Sequence, residues 1–227
     1  KIGVDTQNEV VKEEKRTRMD NQPYGRFQAV VKENLFKKHP YRWATIGSME
    51  HLDAATLEEF QAFNKKFYIP NNAVLVVAGD FKKDQAKKWI AQYFGTIPKG
   101  APIKRKQFIE EPITETIKAR FEDNNIQIPA IVAAYRTPSM KTRDARVLDL
   151  ISSYLSDGKS SKLYKKIVDD KKIALQVGAF SNSQEDYGMY ILYGLPMGQN
   201  SPTDILKEID EEITKLQTEL ISEKDYQ

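Results

Sequence analysis

The stretch Asn72-Ala-Val-Leu-Val-Val-Ala-Gly79, closed by Gly79-Asp80, constrains the fold of this chain more than any other. It is far shorter than the ~18 apolar residues of a membrane helix and rich in valine, so it reads as a strand buried on both faces. A helical pattern comes before it. Across Asp53 to Tyr68, Thr56 and Glu59 have capping-box spacing, while Leu57, Phe60, Phe63, Asn64 and Phe67 run along one side until Pro70 ends the helix. Another follows it over Asp84 to Phe94, with Ala86, Trp89, Ile90 and Phe94 facing inward and Gly95 as the stop. Helix, buried strand and helix in that order predict a sheet covered by helices.

The rest of the chain extends the pattern. Thr6 to Met19 predicts a helix, broken by Asn21-Gln22-Pro23-Tyr24-Gly25, and Gly25 to Lys37 a second one leading to His39-Pro40-Tyr41. Pro98 to Pro112 is polar and without period, the best linker in the chain. Beyond it, Thr114–Phe121, Ile128–Tyr135, Ala174–Phe180 and Tyr187–Leu195 read as strands, and Arg143–Leu155, Ser160–Asp169 and Thr203–Leu216 as helices. The expected class is α+β, an α/β sandwich of two loosely similar domains, both incomplete, divided as residues 1–100 and 101–227. The chain opens on Lys1 without Met or an apolar leader and stops at Tyr226-Gln227, just after Ser222-Glu223-Lys224-Asp225 begins a helix, so a piece of something longer is expected.

Composition excludes several classes. Among 227 residues there is no Cys, which removes disulfides, thiolate nucleophiles and Cys-based metal sites. The two histidines, His39 and His51, are too far apart for an i, i+4 metal pair. A net charge of +3, from 35 basic and 32 acidic residues closely interleaved, does not imply a nucleic-acid groove. Lys165-Lys166 and Lys171-Lys172, beside Asp169-Asp170, read as a solvated helix face. No transmembrane segment is expected.

Few residues carry chemistry on pattern alone. Glu14 ends a helical stripe of Gln7, Val10 and Val11; a carboxylate there is paired, protonated or bound to a metal if buried, and otherwise reads as the i, i+4 partner of Arg18 or as a half-exposed helix end. His39, held extended by Pro40, reads as a hydrogen-bonded structural residue, and so does His51. Ser152-Ser153 and Ser160-Ser161 have no triad partners that spacing can identify. Asp157-Gly-Lys-Ser-Ser161 lacks the first glycine of a phosphate loop and reads as a connection between helices.

Taken together, Gln7-Asn-Glu-Val-Val-Lys-Glu-Glu14, His39-Pro40-Tyr41, Ile46-Gly47, Phe67-Tyr-Ile-Pro-Asn-Asn-Ala73, Val76-Val-Ala-Gly-Asp80 and Tyr93-Phe-Gly95 resemble, in order, the insulinase/pitrilysin family of zinc peptidases, which includes the mitochondrial processing peptidases. The second half continues the likeness with Ile128-Pro129, Tyr135-Arg-Thr-Pro138, Leu155-Ser-Asp-Gly158 and Ser160-Ser-Lys-Leu-Tyr164. The resemblance implies a zinc site in which an inverted His-x-x-Glu-His helix gives two histidines and a general base, and a downstream glutamate gives the third ligand. A water on such a metal has its pKa lowered to ~7 and attacks the peptide carbonyl. Glu14 matches the third ligand. Glu13 competes with it but points away from the valine stripe, and Gln7 stands where the family has a second acid.

No His-x-x-Glu-His occurs in the chain, so zinc is expected only in a full-length protein whose two further ligands lie upstream of Lys1. The family's substrate-holding Arg and Tyr, seven apart, match Val168 and Leu175 here, so that pair is expected from a second half or a partner subunit. The implied function is an inactive fragment of a zinc metalloendopeptidase acting on peptides or unfolded protein. The alternative is a non-catalytic scaffold or peptide-holding subunit, and a third option is an unrelated module with a basic surface. The motifs read as bacterial, with a lean to the periplasm or cell envelope.

Overall fold

Alternation along three segments builds the core. The computed structural model describes residues 2–226; Lys1 and Gln227, on which the expectation of a longer protein rests, lie outside them. Strands β1 (Ile131–Pro138), β2 (Ala174–Ser183) and β3 (Tyr187–Pro196) form an antiparallel sheet in the order β1-β3-β2, with Ala133 opposite Leu192 and Ala179 opposite the same residue. Successive side chains point to opposite faces. Ile131, Ala133, Val177, Ala179, Tyr190 and Leu192 face one way; Val132, Ala134, Phe180, Met189 and Ile191 face the other.

Both faces are covered. On the first lie α6 (Arg143–Ser156), a π-helical segment (Tyr164–Asp170) and α7 (Pro202–Thr218), contributing Leu155, Ile167, Ile205 and Ile209. Gly194 lets α7 approach the sheet: a Cβ there would stand 2.5 Å from Ile205 Cγ2. On the second face lies α2 (Phe27–Leu35), whose Val31 and Leu35, followed by Phe36, bury against Met189 and Ile191. Helix α2, from the first hundred residues, thus closes the sheet of the second hundred. The expected α+β class holds.

The remaining helices are α1 (Ile2–Lys15), α3 (Met49–Ala54), α4 (Leu57–Phe67), α5 (Lys83–Phe94) and α8 (Glu223–Tyr226). The single helix expected over Asp53–Tyr68 is two, because the Thr56/Glu59 capping box marks a true helix start: Glu59 N–H donates to Thr56 Oγ1 at 3.2 Å and Thr56 N–H to Glu59 Oε2 at 2.9 Å. Thr56→Ala costs α4 about 1 kcal/mol. The expected readout is roughly fivefold faster amide exchange at Glu59 and Phe60, with unchanged exchange overturning the assignment.

Two expected strands are corrected. Residues 73–78 form no strand, with Val74 91% exposed, and residues 114–121 likewise form none and are exposed. A strand needs a ladder, and among the described residues neither segment pairs with another strand, although Arg26 lies over the Phe121 ring at 5.3 Å. The stripes of α4 and α5 are corrected for the same reason: Phe60, Phe63, Trp89 and Phe94 remain exposed. No described helix is long and apolar enough to cross a membrane.

Candidate functional site

Glu14 stands in the last turn of α1, where the chain passes into a π-helical turn (Arg16–Asp20). Its Oε1 is 2.8 Å from Arg18 Nη1 and its side chain is 40% exposed, so the Arg18 ion pair at a half-exposed helix end is what is present. Glu13 turns to Arg16 instead, at 3.1 Å.

The stripe that Glu14 ends does not face a core. Val10 is exposed, and the covered side of α1 is the opposite one, where Asn8 donates to the Leu52 carbonyl at 2.6 Å and Lys12 pairs with Asp53. Hydrogen bonds first to Asp53 and then to Glu9 hold Lys12 above the usual lysine range. One face of α1 is thus spent on α3, and the Val10–Glu14 face is open. Among the described residues no three His, Asp or Glu side chains lie close enough to hold a metal ion. A single carboxylate already paired with an arginine does not amount to a zinc site.

His51 is exposed on α3, its N–H on the Ser48 cap at 3.2 Å. His39 is the reverse, 4% exposed and caged by Phe36, Tyr41, Phe108 and Tyr187, with ring centroids 4.1–6.2 Å away. Its Nδ1 accepts from Tyr41 N–H at 3.2 Å, and its Nε2 lies 3.2 Å from Asp186 Oδ2. With both nitrogens engaged it is a structural residue, as read.

Beside it sits a cluster that the sequence did not reveal. Glu110, in the stretch expected to be a plain linker, is 7% exposed, and its carboxylate accepts three successive backbone N–H groups. Lys37 reaches it at 2.9 and 3.0 Å, and Lys38 and His39 each at 2.6 Å. Arg136 adds an ion pair at 3.3 Å and donates also to the Leu35 carbonyl at 2.9 Å and to the Glu111 carbonyl. Glu110 N–H in turn donates to Tyr187 Oη at 3.0 Å. Burial alone would raise the Glu110 pKa, but the N–H groups of His39, Lys37 and Lys38, with Arg136, hold it below the usual carboxylate range. Its lone pairs are consumed, so it clamps rather than catalyses, joining the end of α2, the linker and β1.

A second cluster corrects the solvated reading of Lys165-Lys166 and Lys171-Lys172. Lys166 lies 2.9–3.0 Å from Glu208, Glu211 and Glu212 of α7, and Lys171 pairs with Glu208; only Lys165 and Lys172 are free surface. Val168 is half-buried and Leu175 exposed, so that stretch contributes no polar pair.

In comparison with known proteins, residues 54–227 match the family described as peptidase M16 inactive domain. Glu14 lies outside that match. The zinc protease PqqE of Helicobacter pylori is 27% identical over 190 residues, 82% of this chain and 42% of the relative. A protein of the same organism named non-peptidase homolog YmxG is 24% identical over 152 residues, 67% of this chain and 35% of its own length. The crystal structure of a protease from Helicobacter pylori superposes with a TM-score of 0.81 at 25% identity, covering 98% of this chain and 54% of that one. The chain therefore spans about half the length of such proteins or less.

Proposed function

Because the chain belongs to the peptidase M16 inactive-domain family, we propose that it is part of a bacterial zinc metalloendopeptidase and is inactive by itself. In the full-length protein Glu14 would be the third zinc ligand beside two histidines from outside this chain. The observation that carries this reading is the open Val10–Glu14 face of α1, with the opposite face already spent on α3. The Arg18 partner is no obstacle, since an exposed i, i+4 pair is worth about 0.5 kcal/mol, far less than a ligand bond to zinc.

The division at residue 100 belongs to the same proposal. Residues 1–100 would close a zinc-bearing domain while lending α2 to the sheet of the other, and 101–227 open a second one, supported by the absence of helix or strand from 98 to 130. Peptides or unfolded protein would be the substrate, and a second half or a partner subunit would bring the Arg/Tyr pair. A periplasmic or envelope location rests on the bacterial wording of the motifs.

The test is zinc content. In the protein extended to the length of its relatives, Glu14→Gln is expected to weaken zinc binding more than tenfold and to abolish peptide hydrolysis. Unchanged zinc content would overturn the assignment. It would favour the second reading, a non-catalytic peptide-holding subunit, to which the relative named as a non-peptidase homologue gives support.

A further inference from the structure

The small net charge of the whole chain hides a strong local excess. Residues 65–106 carry ten Lys and Arg against only Asp80 and Asp84, so the remainder is net acidic. Four of the ten, Lys82, Lys83, Lys87 and Lys88, lie at and along the start of α5, all exposed. None of their side chains has an ion-pair partner among the described residues, and Asp84, four residues before Lys88, forms no pair with it. Lys83 and Lys87 are themselves an i, i+4 like-charge pair, which costs the helix a few tenths of a kcal/mol. Three more lysines stand near one another: Lys65 and Lys66 end α4, and Lys99 is brought to that end by Asn71, which exchanges two hydrogen bonds with Gly100 at 2.9 and 3.2 Å.

We infer that the lysine face of α5, with the lysines at the end of α4, is a docking surface for an acidic stretch of a polypeptide partner. Such a patch raises the local concentration of carboxylates and speeds encounter, and the flexible ammonium groups adapt to irregularly spaced acids. Nucleic acid is a poorer match. The one arginine in the segment, Arg105, is already 3.4 Å from Glu185, and two exposed aromatics of α5 stand away from one pair of its lysines. Trp89 and Tyr93 follow Lys83 and Lys87 by six residues, about 120° around the helix.

A lipid surface would need the apolar side of α5 to insert. That side resembles the equally open Phe60 and Phe63 stripe of α4, and both can be covered by the part of the protein that the relatives' greater length represents. Among the described residues nothing covers the lysine side. The inference does not depend on zinc or on peptidase activity.

The experiment is fluorescence anisotropy with the 227-residue chain and a fluorescein-labelled peptide of alternating Glu and Gly, at low and at physiological ionic strength. Replacing Lys82, Lys83, Lys87 and Lys88 by Gln is expected to weaken binding about tenfold, and replacing the same four by Arg to restore it. A control in which the exposed Lys118, Lys159, Lys165 and Lys207 become Gln makes the same change in net charge and should stay within about twofold. Circular dichroism checks that each variant is folded. No saturable binding, or equal weakening in both Gln variants, would overturn the inference. So would tighter binding of a single-stranded oligonucleotide or of phosphatidylserine vesicles, lost with the same four lysines.

Discussion

Glu110→Gln lowers the stability of the chain by about 3 kcal/mol at pH 7, read as a shift of roughly 10 °C in the thermal midpoint. The size follows from what remains. Glutamine offers one acceptor oxygen where the carboxylate offered two, and its amide group faces the N–H groups of Lys37, Lys38 and His39 and the Arg136 guanidinium, all donors. Buried donors without acceptors cost about 1–3 kcal/mol each, and Arg136 becomes an uncompensated charge.

Arg136→Met leaves Glu110 its three backbone donors and should cost less. Adding Arg136→Met to Glu110→Gln should cost less than the sum of the two, a coupling of about 1 kcal/mol or more, measured by urea unfolding. The pH dependence has a fixed sign. The folded pKa of Glu110 is depressed, so its contribution is present above the ordinary value of 4.5 and fades as pH falls through the lower folded value. The gap between parent and variant should therefore shrink on acidification. A variant within about 0.5 kcal/mol of the parent at pH 7 would show that Glu110 does not clamp the linker.

What sequence alone could reach is instructive at these same residues. The strands expected at Ala174–Phe180 and Tyr187–Leu195, found as Ala174–Ser183 and Tyr187–Pro196, were legible because both are short apolar runs close enough along the chain to pair with each other as a hairpin. The run at residues 72–79 had an even stronger strand composition and forms no strand, because composition says what a segment favours and a ladder requires a neighbour. Arg136 did leave a signal: on the face shared by Val132 and Ala134 it is the charged exception, and a charge there asks for a carboxylate. Nothing in the spacing says that the carboxylate is Glu110, 26 residues earlier in a polar stretch. Glu14 is the opposite case, visible in the sequence by its place on a stripe, while the partner its carboxylate has in the structure is Arg18, one turn on.

Lys166→Met is expected to destabilise the chain by about 2–3 kcal/mol at pH 7 and, unlike most damage, to be partly relieved by acid. The π-helical turn explains why this lysine is placed as it is. The Lys171 N–H donates to the Lys166 carbonyl at 3.1 Å, an i to i+5 bond that stacks the two lysines on one side, toward α7. There Glu208 and Glu212, almost wholly covered, and the half-exposed Glu211 surround a Lys166 side chain that is 19% exposed. Burial opposes the charge of Lys166, but hydrogen bonds to Glu212, Glu211 and Glu208 outweigh it and raise its pKa. Burial would also raise Glu208 and Glu212, yet Lys171 and Lys166 hold the first below its ordinary value, and Lys215 and Lys166 the second. A raised lysine contributes fully below its unfolded value of 10.5, and depressed glutamates contribute above 4.5, so the parent keeps the whole network between those limits. Methionine fills similar space but leaves the three acids close together with only Lys171 and Lys215 to balance them. Burial and mutual repulsion then push Glu208 and Glu212 upward, so protonation stabilises the folded variant as pH falls. Urea unfolding at pH 7 and near pH 4.5 should show the deficit narrowing by about half, and a deficit that stays constant would mean that packing around the Lys166 stem, rather than its charge, holds α7 to the π-helical segment.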